Sequence, residues 1–167
     1  MTISQYDLRS AATRNFSLKY QQSRSYGQKT GFLCHSHKDR DLALGLQQWL
    51  KEQGMELYID WQDPHMPDLP DGTTADRIRT VIKRAEIFLF LATNDSMSSR
   101  WCPWELGFAD GVKRNEQIAL IATRDTSGNY YGNEYLHLYR RIDQATASNA
   151  LQWFPKGSQS PQNLTSF

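Results

Sequence analysis

Cysteine is scarce: two residues, Cys34 and Cys102, in a chain of 167 cannot build a disulfide framework. Their settings, an apolar run and a pair of tryptophans, suit a reduced intracellular protein. Neither sign of charge dominates, since 19 Lys and Arg stand against 18 Asp and Glu. That balance argues against a chain whose main work is neutralising nucleic-acid phosphates. No stretch approaches the roughly 18 apolar residues of a membrane-spanning helix, and the opening MTISQYDLRS lacks an apolar secretory segment. Internal repeats, a Walker A loop and a G-x-G-x-x-G turn after a strand are also missing. What is there is 39% hydrophobic and 22% charged, in a length that suits one domain able to bury roughly 70% of its unfolded surface unaided.

Charge is spread unevenly. Arg9, Arg14, Lys19, Arg24 and Lys29 face only Asp7 in the first 29 residues, so residues 1–28 read as a basic N-terminal arm or short helix that reaches a neighbour or stays solvated. Residues 29–154 read as the folded domain, and 155–167, PKGSQSPQNLTSF, as a flexible polar tail. Within the domain, short apolar runs alternate with segments of helical period, the pattern of a parallel sheet covered on both faces. Gly31–Cys34, Met55–Ile59, Ile87–Leu91 and Ile118–Ala122 read as strands, the third apolar at every position as a central parallel strand requires. Ser36 and Asp39 make a capping-box-like start to a helix with the stripe Leu42, Leu46, Trp49 and Leu50, ended by Gly54. Thr73 or Thr74 caps a second helix with Ala75, Ile78, Ile82 and Ala85 inward. A third begins after Ser98-Ser99 with Pro103 in its first turn. Asp60 to Gly72 is a long loop stiffened by Pro64, Pro67 and Pro70. Beyond Thr123 the pattern weakens: Tyr135 to Ile142 reads as helix or irregular, and Ala150 to Phe154 as a short fifth strand.

The most informative segment for chemistry is Ser99 to Phe108. Helical spacing places Glu105 on one face with Trp101, Phe108 and Val112, a carboxyl in an apolar stripe. Burial there raises its pKa, as active sites do to acids they use, whereas a role as helix-start anion is the structural alternative. With strand order 2-1-3-4-5, the ligand crevice of a doubly wound sheet lies between Cys34-His35-Ser36 and Thr93-Asn94-Asp95. Free helix N-termini there suit phosphate oxygens, and the set suits a phosphorylated sugar compound. His35 and His37 lack further ligands at metal-binding spacing, so no metal is expected. Gly107 and Gly111 suit close helix packing, and Cys34 reads as a small core residue.

Phe32 to Asp39, Tyr58-Ile59-Asp60, Phe88 to Leu91 and Ser98 to Leu106 together resemble a Toll/interleukin-1 receptor (TIR) domain of bacterial type over roughly Lys29 to Phe154. Glu134 to Tyr139 resembles a late segment of stand-alone bacterial members, the Thoeris-like anti-phage kind. The resemblance implies a flavodoxin-like three-layer α/β sandwich with central parallel strand order 2-1-3-4-5. It also implies cleavage of NAD+ between nicotinamide and ribose, giving linear, cyclised or conjugated ADP-ribose, with NAD+ as substrate and no separate cofactor. By motif position the catalytic glutamate falls on Glu105, and the 60–72 loop corresponds to the BB loop that shapes the pocket and contacts the next subunit. Phe32, His35, Ser36, Trp61, Asn94 and Trp101 are the positions expected to bind substrate.

These implications describe a cytoplasmic enzyme that forms homo-oligomers through TIR–TIR contacts and signals through its product to a separate effector, with neither nucleic acid nor membrane as partner. Two rivals remain open on the sequence: a non-catalytic TIR assembly module, and a nucleoside deoxyribosyltransferase-like enzyme, which also cleaves an N-glycosidic bond with a glutamate. A receiver domain is disfavoured, because no acidic pair follows the first strand.

Overall fold

Alternation of side chains along an extended strand is clearest in Ile87–Ala92, where Ile87, Leu89 and Leu91 enter one buried cluster and Phe88, Phe90 and Ala92 another. A strand with apolar groups on both sides belongs at the centre of a sheet covered twice. The computed structural model describes residues 1–14, 29–67, 71–132, 134–146, 148 and 150–164. Its strands are β1 (Ile3–Ser4), β2 (Lys29–Cys34), β3 (Met55–Tyr58), β4 (Ile87–Ala92), β5 (Ile118–Arg124), β6 (Tyr130–Tyr131), β7 (Arg140–Gln144), β8 (Leu151–Phe154) and β9 (Gln162–Asn163). The helices are α1 (Gln5–Arg14), α2 (Arg40–Lys51), α3 (Gly72–Arg84), α4 (Asn94–Met97) and α5 (Cys102–Val112). The sheet runs β3-β2-β4-β5-β7-β8-β9, with β1 and β6 also pairing to β5. β3, β2, β4, β5 and β7 are mutually parallel, β8 runs antiparallel to β7 and β9 antiparallel to β8, a mixed α/β sheet between helical layers.

α1 and α2 cover one face with Leu8, Leu42, Leu46 and Leu50, and α3 and α5 cover the other with Ile78, Ile82, Leu106 and Ala109. Gly54 ends the α2 connection at φ 84°, the left-handed conformation a glycine adopts without Cβ strain. α3 is capped by Asp71, not by Thr73 or Thr74: Asp71 Oδ1 accepts from the Thr74 amide while Thr74 Oγ1 accepts from the Asp71 amide. Thr74 is the reciprocal half of that box. Ile78, Ile82 and Ala85 are buried as the helical period predicts.

Three segments add to or differ from the sequence reading. Across Tyr135–Ile142, read as helix or irregular, Glu134–Leu138 forms a 3₁₀ turn and Arg140–Gln144 is the strand that continues the parallel sheet beside β5, to which Leu151–Phe154 returns antiparallel. Only Ile142 of β7 is fully buried, and the guanidinium groups of Arg140 and Arg141 lie 4.1 and 4.2 Å over the Trp153 and Phe154 rings.

Residues 1–14 form the short helix that the sequence offered beside a solvated arm, and they pack into the body of the protein. Ile3 pairs in parallel with Thr123, and Ile3, Leu8 and Ala11 are wholly buried, each large apolar side chain contributing roughly 1.5–3 kcal/mol of transfer free energy. α1 lies so close to α2 that a Cβ on Gly45 would fall 1.8 Å from the Leu8 carbonyl oxygen. In the tail, Gln162–Asn163 pairs with β8 and Leu164 is buried, so this part is ordered against the sheet. Lys19 and Arg24 of the basic arm, Pro70 of the long loop and residues 165–167 lie outside the described residues.

Candidate active site

β2 and β4 are neighbours, yet the chain leaves them toward opposite faces, through α2 on one side and α4 and α5 on the other. Between the carboxyl ends of two such strands an open α/β sheet forms a crevice. Around it stand residues 35–39, a 3₁₀ turn at Asp60–Gln62 after β3, residues 93–101 and the first turn of α5.

Glu105 sits in that first turn and is 6% exposed. Its companions differ from those the apolar stripe suggested. The buried face of α5 is Cys102, Glu105, Leu106 and Ala109, whereas Trp101, Trp104 and Phe108 are half-buried and Val112 is 44% exposed. Arg79 and Lys83 of α3 lie over the Trp104 and Phe108 rings at 5.1 and 5.8 Å, giving aromatic surface a polar cover without burying it. Burial pushes the Glu105 carboxyl well above the usual range, with further upward contributions from Cys102 and Asp60; a hydrogen bond with the Cys34 thiol opposes them. Among the described residues no cation contributes to that shift, which favours the protonated form over the anion. Cys34 is wholly buried beside it and donates to the Cys102 carbonyl at 3.7 Å, its own thiol pushed up by burial. Sequence reading assigned Cys34 to the core, which it is; its contact with Glu105 is additional.

His35 and His37 diverge. His35 is buried, its Nε2 accepting from Trp61 Nε1 at 2.9 Å while Nδ1 lies 3.1 Å from the Leu33 carbonyl. An indole only donates, so Nδ1 must carry the proton, and burial holds the ring below its ordinary pKa, in the neutral form. His37 is exposed and donates through Nε2 to Asp60 Oδ2 at 2.9 Å, which raises its pKa. Asp60 Oδ1 also accepts from the Trp61 amide, and despite burial these hydrogen bonds hold the Asp60 carboxyl low. Asp60 and Glu105 are thus two neighbouring carboxyls whose pKa values are driven in opposite directions, Asp60 down by its hydrogen bonds and Glu105 up by burial.

Of the other expected contacts, Trp61 is half-buried with Arg40 stacked 4.2 Å over its ring. Ser36 lies at the crevice with its hydroxyl accepting from the Lys38 amide, Asn94 is exposed at the start of α4, and Trp101 meets Trp104 edge-on. Phe32 is set back in the core, 1% exposed and stacked between Tyr58 and Phe88. The starts of α4 and α5 are capped from within the chain and so are not free for phosphate as the sequence suggested. Thr93 and Ser96 cap each other, and Ser99 Oγ accepts from the Trp101 and Cys102 amides. A groove of about 600 Å³ lined by Thr30, Glu56, Tyr58, Val81 and Arg84 lies toward the amino ends of the strands, away from Glu105. No helix among the described residues is long and apolar enough to cross a membrane.

Fold and crevice define a doubly wound α/β protein with a buried acid at its switch point. The family model for the TIR domain matches residues 32–152, and the chain belongs to that family. It is 32% identical over 123 residues to a probable 3′ cyclic ADP-D-ribose synthase, ThsB′, of Bacillus cereus (strain MSX-D12), an overlap covering 72% of this chain and 64% of that protein.

Proposed function

We propose that this protein cleaves NAD+ at the bond between nicotinamide and ribose, with Glu105 as the catalytic carboxylate, and releases a cyclised ADP-ribose in bacterial anti-phage signalling. The observation that carries the reading is a buried acid with no cationic partner among the described residues, at the switch-point crevice of a TIR domain. The similarity to a probable cyclic ADP-D-ribose synthase supports the product class. Nicotinamide in NAD+ is cationic and supplies the partner that Glu105 lacks, so substrate entry favours loss of the Glu105 proton. As the C1′–N bond breaks, its electron pair stays on nicotinamide and positive charge moves to the ribose. The carboxylate stabilises that charge in a site from which water is largely excluded. A hydroxyl oxygen of the same molecule then forms the new bond to C1′, and its proton returns to Glu105.

Neutral His35, held by Trp61 and the Leu33 carbonyl, keeps the loop at the end of β2 in place. Ser36, Trp61, Asn94 and Trp101 line the approach, with Phe32 behind them as support. The reading extends to a cytoplasmic homo-oligomer with TIR–TIR contacts and to a separate effector that binds the product, both supported by family membership.

The test is incubation of the native protein and Glu105→Gln with NAD+, products resolved by mass spectrometry. We expect nicotinamide plus an ADP-ribose isomer from the native protein and a loss of about 10²–10³-fold or more in the variant. Equal turnover by both would overturn the role of Glu105, and a protein that binds TIR partners while turning over no NAD+ would be an assembly module.

A further inference from the structure

The two loops flanking the crevice are joined by a pair of buried side chains 54 residues apart: Thr93 Oγ1 donates to Asp39 Oδ2 at 2.5 Å. Asp39 is 7% exposed and Thr93 2% exposed. Asp39 stands where an N-cap residue would be, yet its carboxylate makes no cap to α2 and turns to the other loop instead. The same Thr93 hydroxyl oxygen accepts from the Ser96 amide at 2.9 Å, and Ser96 Oγ accepts from the Thr93 amide at 2.9 Å, so the junction between β4 and α4 is held from both sides. Nearer the surface, Lys38 and Asp95 repeat the connection at 3.6 Å.

The connection continues through the sheet to the start of the chain. Thr123 Oγ1 donates to the carbonyl of Ala92, the residue before Thr93, at 2.6 Å, and Gln5 Nε2 donates to Thr123 Oγ1 at 3.0 Å. Gln5, Thr123, Thr93 and Asp39 are all buried. Burying such a polar relay, one member a carboxylate, costs more than burying apolar side chains of like size. A fold needing only cohesion here would do better with a valine and a leucine. The relay does what apolar contact does less well, giving one distance and one orientation between two backbone segments. The segment it orients runs from Thr93 through Ser99 directly into the first turn of α5, which carries Glu105.

We propose that Asp39 and Thr93 are positioning residues that set Glu105 relative to the loop at the end of β2, and that Gln5, outside the TIR match, buttresses them from the N-terminal segment. This rests on the NAD+-cleaving reading. A displacement near 1 Å between a catalytic group and its substrate is enough to cost about 10²-fold in rate.

The experiment measures kcat and KM for NAD+ with the full chain, at a temperature where circular dichroism shows every variant folded. Thr93→Val removes the hydroxyl and is expected to lower kcat about 10- to 100-fold, while Thr93→Ser, which keeps it, restores most of the native rate. Gln5→Ala gives a smaller loss of kcat. Amide hydrogen exchange, which needs no NAD+, should show residues 35–39 and 94–101 exchanging faster together in Thr93→Val and not in Thr93→Ser. If Thr93→Val does not fold, Asp39→Asn decides: it keeps an acceptor for Thr93 without the charge, and positioning predicts kcat within about threefold of native. A loss there near that of Glu105→Gln would overturn positioning in favour of a charge acting on substrate. Unchanged constants in folded Thr93→Val, or equal damage by Thr93→Ser, would overturn the proposal with NAD+ cleavage intact. Absence of turnover by the native protein would overturn the NAD+ reading itself, and the positioning role with it.

Discussion

Asp63 anchors the first part of the long loop beside the site, and replacing it by asparagine should weaken the protein in a way that depends on pH. Its side chain is 4% exposed. Oδ2 accepts from Tyr58 Oη at 2.7 Å and from Arg77 Nε and a terminal Arg77 nitrogen at 2.9 Å, and Oδ1 accepts from the His65 amide at 2.9 Å. Burial alone would raise this carboxyl; the hydrogen bonds from Tyr58, His65 and Arg77 outweigh it and bring the pKa to about 2. Against an unfolded value of about 3.9, a depression of about two units at 1.36 kcal/mol each sets an upper limit near 2.6 kcal/mol. Arg77 is 38% exposed, and solvent screening of its charge lowers the expectation to about 1–2 kcal/mol. Because the folded pKa lies below the unfolded one, the contribution is fully present above about pH 5 and fades as pH falls through 3.9 toward 2. Urea unfolding of native protein and Asp63→Asn at pH 7, 5, 3 and 2 measures it. The native protein should be more stable by about 1–2 kcal/mol at pH 7, with the gap closing by pH 2. Other acid-sensitive groups are common to both proteins and cancel. A gap unchanged from pH 7 to 2, or no gap at pH 7, would refute the reasoning.

Gly45→Ala places a methyl 1.8 Å from the Leu8 carbonyl oxygen, so α1 must move off α2, and thermal unfolding should show a loss of at least about 2 kcal/mol. Leu8→Ala should cost about 2–5 kcal/mol by the same measurement, whereas a solvated arm would lose nothing. Nitrogen-15 NMR of the imidazoles should find His35 as the neutral Nδ1–H tautomer through its lowered pKa range and His37 titrating above its ordinary value; a protonated His35 at pH 6.5 would contradict the Trp61 bond. With Glu105 held high by burial and needed as the anion, kcat/KM for NAD+ should fall as pH drops through its raised pKa, and a flat profile would exclude that requirement.

Much of the sheet was legible because parallel strands buried on both faces are apolar at consecutive positions, as Ile87 to Leu91 are. β7 escaped notice for the opposite reason: its cations cover aromatic rings of β8, so it reads as polar while packing as core. α1 was masked in the same way, since Arg9 and Arg14 dominate the composition while Ile3, Leu8 and Ala11 carry the contact. At the site, the burial of Glu105 was legible but its face was not. Hydropathy favoured Trp101, Phe108 and Val112, and the buried stripe instead follows the small residues Cys102 and Ala109, which let α5 approach the sheet. The Asp39–Thr93 bond had no local signal, because Asp39 at a helix start reads as a cap.

The states of Asp60 and Glu105 bear on which ligand the proposed site accepts. Hydrogen bonds from His37 and the Trp61 amide favour the Asp60 anion, and that charge adds to burial in pushing the Glu105 pKa up. Once a cationic ring lies against Glu105, ionisation of the acid offsets the burial of both charges, provided they stay in contact. An arginine in place of Cys34 would favour the Glu105 anion before any ligand binds. The reduced dinucleotide, whose dihydronicotinamide ring is neutral, offers no such compensation, and it also has no positive charge to move onto ribose. If Glu105 is the catalytic carboxylate proposed above, its apolar, thiol-lined setting favours the oxidised dinucleotide over the reduced one.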